Sequence, residues 1–270
     1  MAAKKLDKFK FYLFLITKSI VKTYVLPLLL FAGVFSLQIL YYFSQVNKKQ
    51  SVSFLQEEKR AGLLLSLDQT SLEFGFSNLI ADWHFLKFVQ YFGDKKAREQ
   101  TGYSLTTSYF KSIVNRDPHF VKAHLTLSTA NSIYAGRPKQ TVLFLNQVLS
   151  YISPNLPLAY YLWVYKGIDE ILFLGDLKAA QRSYEMAAEW ANYRDESAKS
   201  ILAVRARETA RFLAKKPDSR KARIGAWTTI LMNATDEKTQ QRATQEIKAL
   251  GGEIIITPEG RLSVEVQPEK

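Results

Sequence analysis

Residues 158–192 read LAYYLWVYKGIDEILFLGDLKAAQRSYEMAAEWAN, and this stretch decides the fold. Apolar residues recur at helical spacing up to position 174, Gly175-Asp176 interrupts them, and a second amphipathic run, 177–192, follows. That pattern is two helices joined by a tight turn, with glycine taking a backbone conformation that other residues resist. Working outward, the arrangement recurs. Helices are predicted over 76–92, 108–115, 121–135 and 138–151 upstream, and over 197–215, 219–234 and 236–250 downstream. Gly93, Gly136 and Gly175 fall at the turns, 43 and 39 residues apart, a period that marks stacked helix–turn–helix units. Residues 76–92 carry two apolar stripes (76, 79, 80, 83, 86 and 85, 88, 89, 92), which predicts a helix covered on two sides. The stretch EIIITPEGRLSVEV (253–266) reads as two short β runs about a Pro-Glu-Gly turn, leaving an edge hairpin and a disordered tail both open.

Residues 163–187 resemble a tetratricopeptide repeat. Trp163 and Gly167 lie four apart on the first helix, Gly175 takes the turn, and Ala180, Tyr184 and Ala187 keep the small–aromatic–small spacing of the second. One extra residue between Gly167 and Gly175 departs from the 34-residue pattern. In the preceding units Phe110 and Pro118 hold the aromatic and proline positions, and Leu145 the next large apolar one. Small residues let helices approach and the aromatic fills the space between them. The resemblance covers 72–192 and implies an all-α, tetratricopeptide-like α-solenoid. Through FGFSNLIADWHFLKFVQYFGD (74–94) and YKGIDEILFLGDLKAAQRSYEMAAEWA (165–191) the chain also resembles uncharacterised membrane-anchored repeat proteins of cyanobacteria. By repeat position, Trp83, Lys87, Gln90, Lys122, Thr129, Ser132, Tyr161 and Ile168 would face a partner groove.

The run TYVLPLLLFAGVFSLQILYYFS (23–44) is 22 residues without a charge. As a helix it would reach about 33 Å, enough for a hydrocarbon core of about 30 Å. Six lysines precede it (Lys4, Lys5, Lys8, Lys10, Lys18, Lys22), opposed by Asp7 alone, so a cytoplasmic N-terminus and an exported C-terminal domain are expected. The apolar core is too long, and a small-x-small cleavage site is missing, for a cleaved signal peptide, so an uncleaved anchor is expected. Residues 9–21 either lie along the interface or lengthen a tilted helix. The expected organisation is a basic cytoplasmic or interfacial segment (1–22), an anchor (23–44) and a linker (45–70). Helical repeats (71–194), capping helices (195–252) and a tail (253–270) follow.

Of the 270 residues 47% are hydrophobic and none is cysteine, so a folded domain is expected and thiolate or cysteine-metal chemistry is excluded. The net charge of +12 has two sources, the N-terminus and residues 199–223. There Arg205, Arg207, Arg211, Lys215, Lys216, Arg220, Lys221 and Arg223 form a basic surface, with 207, 211 and 215 stepping along one helix face. A solvated outer face is the simplest reading, and contact with acidic protein or anionic lipid the functional one. Aromatics are sparse among these cations, and nucleic acid is not expected as a partner. His84, His119 and His124 lack metal-ligand spacing, and Asp169-Glu170 should diverge on a helix. No phosphate loop, dinucleotide fingerprint, nucleophile elbow or zinc motif occurs. The expected function is therefore a non-catalytic, membrane-anchored scaffold or assembly factor without cofactor or metal. Its partners would be other membrane proteins held by the groove, and the resemblance to cyanobacterial repeat proteins implies photosynthetic or envelope complexes as clients. The alternatives are an enzyme or enzyme subunit of envelope metabolism, and a module binding anionic lipid or acidic polymer.

Overall fold

The computed structural model describes residues 25–48, 53–68, 75–193, 196–256 and 262–266. It forms two compact units, residues 1–53 and 54–270.

In the first unit a single helix, α1 (Leu26–Lys48), is described. Pro27 sits in its first turn, where a missing amide hydrogen is harmless. The side chains described on it, those of residues 27–41, are exposed all round and none is charged. Among the described residues no helix is long and apolar enough to cross a membrane. The rest of the charge-free run, 23–24 and 42–44, and the basic segment 1–22 lie outside the described side chains.

The second unit is built almost wholly of helices in pairs. Its elements are α2 (Phe54–Asp68), α3 (Ser77–Gly93), α4 (Lys95–Thr101), α5 (Thr106–Arg116), α6 (Val121–Thr129), α7 (Pro138–Tyr151), α8 (Ala159–Asp169), α9 (Leu177–Ala191), α10 (Glu196–Ala214), α11 (Arg220–Asn233) and α12 (Glu237–Ala249). Asp94, Asp176 and Asp236 cap α4, α9 and α12 by accepting the amides of Ala97, Ala179 and Thr239. Pro138 opens α7 from the first turn, as its fixed φ favours. The main core runs through α3 and α5 to α8, with Phe88, Phe110, Ile113, Leu127, Leu145 and Leu162 fully enclosed. Phe110 fills the space between α5 and α7 beside Phe144, at 5.1 Å between ring centroids.

The sequence-predicted turns hold with one shift. Gly136 and Gly175 are left-handed, whereas Gly93 simply ends α3 and the left-handed glycine of that unit is Gly102. Both α6 and α8 run on into one π-turn, Ala130–Tyr134 and Glu170–Leu174, before their glycine. The cap is the same twice: the amides of Arg137 and Asp176 reach back to the carbonyls of Asn131 and Glu170, each at 2.9 Å. This shared ending is the clearest structural repeat in the molecule.

Besides the short helix α4, which falls between the predicted helices 76–92 and 108–115, two regions depart from the sequence reading. Residues 54–68, read as linker, are helix α2, whose Leu65 and Glu58 turn inward. Glu58 is paired with Arg98, 40 positions away, a partnership no local pattern can announce. The C-terminal helices also divide in role. α10 packs along α9 as a further layer, through Ala187, Ala188 and Ala206. α11 and α12 instead fold back over the two π-turns, where Ile224, Trp227 and Ile230 meet Phe173, Leu172 and Ile133. The tail is a hairpin of β1 (Gly252–Ile256) and β2 (Leu262–Val266), antiparallel with Ile254 opposite Val264, and both side chains pack on that second cluster. Its turn, 257–261, lies outside the described residues.

Candidate functional site

The eight residues expected to line a groove separate into two surfaces. Trp83 and Lys87 flank an open apolar cleft of about 890 Å³ between α2 and α3, together with Leu64, Leu79, Ile80 and Leu86. The Trp83 ring is 55% exposed, with the Lys87 ammonium 4.7 Å from its centroid. Thr129, Ser132 and Ile168 line a second hollow of about 340 Å³ where the ends of α6 and α8 meet α11. Gln90, Lys122 and Tyr161 line neither. Gln90 and Lys122 are exposed, and Tyr161 is half-buried against Tyr160.

The floor of the second hollow is polar. Ser132, expected to face a partner, is buried instead, and its hydroxyl lies 2.5 Å from Asp169 Oδ2 and 2.8 Å from Thr141 Oγ1. Behind it a chain of hydrogen bonds continues. Arg137 Nη1 donates to Thr107 Oγ1 at 3.0 Å, and that hydroxyl donates to Asn131 Oδ1 at 2.6 Å. Asn131 Nδ2 then donates to Thr141 Oγ1 at 3.0 Å. Ser132 Oγ donates to the Asp169 carboxylate, and Thr141 Oγ1 lies 3.4 Å from the Arg137 carbonyl, to which it donates. A buried polar network is tolerable only when its members satisfy one another, and this one ties α5, α6, α7 and α8 together.

Burial is the main cause that lifts the Asp169 carboxyl to about 7; the Ser132 bond works against it and the neighbouring Glu170 charge works with it. The two acids do diverge, as their adjacency requires. Glu170 turns the other way, into a buried set with Lys166 (2.6 Å) and Ser183 (2.6 Å), while Lys166 also reaches Ser183 at 2.8 Å. The sequence reading set both acids aside because adjacent residues diverge on a helix. The available signal was Lys166 and Glu170 at i and i+4 within an otherwise apolar helix, a placement that only mutual pairing makes tolerable.

The histidines are structural in geometry. His124 is fully buried, with Nε2 3.0 Å from the Asp117 carbonyl, and burial depresses the imidazole to about 4. His84 Nδ1 lies 2.7 Å from Ser112 Oγ. His119 is exposed next to Asp117. Among the described residues no group of three His, Asp or Glu side chains is placed to hold a metal ion.

The basic surface is partly as expected. Arg205, Arg207, Arg211, Lys215, Lys216 and Lys221 are exposed, with Val204 and Phe212 exposed among them. Arg223 differs, because its guanidinium fills the space beside Gly175, where a Cβ would come within 2.7 Å of it. Arg220 is half-buried at the start of α11.

No protein-family model matches the chain, and no curated protein or solved structure is significantly similar to it.

Proposed function

We propose that this protein is a membrane-anchored, tetratricopeptide-like scaffold or assembly factor that works by holding other membrane proteins, without catalysis of its own. The observation that carries the reading is the convergence of Thr129, Ser132 and Ile168 on one hollow beside an unusual buried acid. A hollow of about 340 Å³ suits one or two side chains of an extended segment better than a whole substrate and cofactor. Ser132 and Asp169, bonded to each other, form its floor, and Ile168 and Leu172 would cover the apolar stem of a partner side chain. The anchor is the charge-free run 23–44, supported by α1, whose described side chains are apolar or uncharged on every side. Confinement to the bilayer raises the effective concentration of the solenoid toward partners in the same membrane.

The preceding lysines favour a cytoplasmic N-terminus and an exported domain. With the resemblance to cyanobacterial repeat proteins, the membrane is the plasma or thylakoid membrane and the clients are its photosynthetic or envelope complexes.

Photo-crosslinking tests the hollow directly. A benzoyl-phenylalanine at Ile168 should yield discrete protein adducts in cells, while the same residue at Leu143, exposed on α7, should not. Adducts from Leu143 only, or from neither, would remove the scaffold reading. Protease shaving of sealed vesicles checks the orientation.

A second reading is favoured by one observation, the exposed cations of α10 interleaved with Val204 and Phe212. In that case the protein also binds anionic lipid, and vesicle binding should fall steeply with salt and vanish in Arg207, Arg211, Lys215→Glu.

A further inference from the structure

One face of α3 runs against the usual rule of burial. Phe76 just before it, then Leu79, Trp83 and Leu86, follow at spacings of three and four, and each is more than half exposed. The opposite face, with Ala81, His84 and Phe88, is sealed in the core. On α2 the exposed side chains Leu63, Leu64 and Leu67 continue the surface across the 890 Å³ cleft. Single exposed leucines are ordinary, but a continuous band of this length exceeds what a water-facing monomer normally leaves open.

We propose that the α2–α3 face is a membrane-contact surface, seated in the head-group and upper acyl region of the same bilayer that holds α1. The inference rests on the anchor reading above and adds a second contact to it. Chain length argues for lipid as the occupant. Only residues 49–53 separate α1 from α2, and five residues in any conformation reach at most ~18 Å. The start of a helix so closely tethered stays near the membrane span, and its ~22 Å length for 15 residues can then lie along the interface.

Side-chain chemistry argues the same way. Trp83 with Lys87 over its ring is an amphipathic pair suited to the boundary, the indole in the acyl region and the ammonium among phosphates. Among the side chains described around the band, Lys59, Arg60 and Lys87 stand exposed with Glu57 and Asp82, so the charge there is nearly balanced. Affinity therefore comes mainly from the apolar band, as for helices lying in an interface.

The absence of cysteine makes the test direct. Single cysteines at Leu37, Leu64, Leu79, Leu86 and Leu143 are introduced into the full chain, labelled with a nitroxide, and reconstituted in vesicles of phosphatidylcholine and phosphatidylglycerol. Collision with oxygen, which concentrates in lipid, is compared with collision with a water-soluble nickel chelate. All five positions are exposed, so labelling leaves the core intact. Labels at 64, 79 and 86 should show an oxygen-to-nickel ratio several-fold above that at 143. Ratios equal to that at 143 would overturn the proposal, and so would labels shielded from both reagents, which would mean a protein covers the face. The label at 37 separates the two readings. Lipid exposure there with water exposure at 79 and 86 defeats this inference alone, while water exposure at 37 defeats the anchor as well.

Discussion

The outer face of α3 and the interior at the end of α8 invert each other. On α3, leucine and tryptophan stand in the open, and at the end of α8, two carboxylates, a lysine and two serines are closed in. Both arrangements cost free energy in an isolated water-soluble chain, the first through apolar hydration and the second through desolvation. Their remedies differ. The interior set is remedied within the chain, by the Lys166–Glu170–Ser183 set and the hydrogen-bond network that reaches Asp169. The α3 band has no remedy among the described residues, and the proposal above gives it one in the bilayer. A buried polar group that is already satisfied points to internal architecture, and an apolar face that is not points to a surface the protein meets.

Four substitutions bear on that contrast. The largest effect is expected from Phe88→Ala, which empties a sealed site and should cost about 3–5 kcal/mol in urea unfolding of the detergent-solubilised chain. Asp169→Asn comes next and has the opposite sign at high pH. An unfolded aspartate ionises near 3.8 while the folded one holds its proton to about 7, so the folded state carries one proton more between those limits. The contribution is full below pH ~4 and is lost as pH rises to about 7. The parent should therefore lose stability from this group between about pH 4 and 7, and the asparagine variant should gain on the order of 4 kcal/mol over it at about pH 8. Equal pH slopes for the two proteins would show that the carboxyl is not held protonated.

Gly136→Ala should cost about 2 kcal/mol, because φ is +59° there and the new methyl would approach Thr239 Cγ2 at 2.9 Å. Adding Thr239→Ser should return only the steric part, which a double-mutant cycle reads. Leu86→Ala, one turn from Trp83 on the open face, should change stability by less than about 0.5 kcal/mol. A cost near that of Phe88→Ala would mean the face is closed after all.

The helices and their pairing were legible because each is written locally. Gly175-Asp176 and Gly136-Arg137-Pro138 carry turn and cap chemistry within a few residues, and the small positions Ala180 and Ala187 are buried as close packing requires. The candidate site was legible only in part. Thr129, Ser132 and Ile168 do meet at one hollow, but Asp169 was discounted, since its burial depends on Thr107, Asn131, Thr141 and α11 arriving from elsewhere. Helix α2 was missed for a similar reason: its inward Glu58 looks like a surface charge until Arg98 stands opposite.

The order of residues alone determined most of the helices, the two apolar stripes of 76–92, the recurring glycine turns and the charge-free run near the N-terminus. Only the tertiary arrangement decided which stripe meets protein and which stays open, where the acids of α8 go, and that α11 and α12 double back over the π-turns. The reason is physical. Periodicity describes how side chains sit around one helix axis, whereas burial is a property of two segments, set by whichever distant element comes to rest against that face.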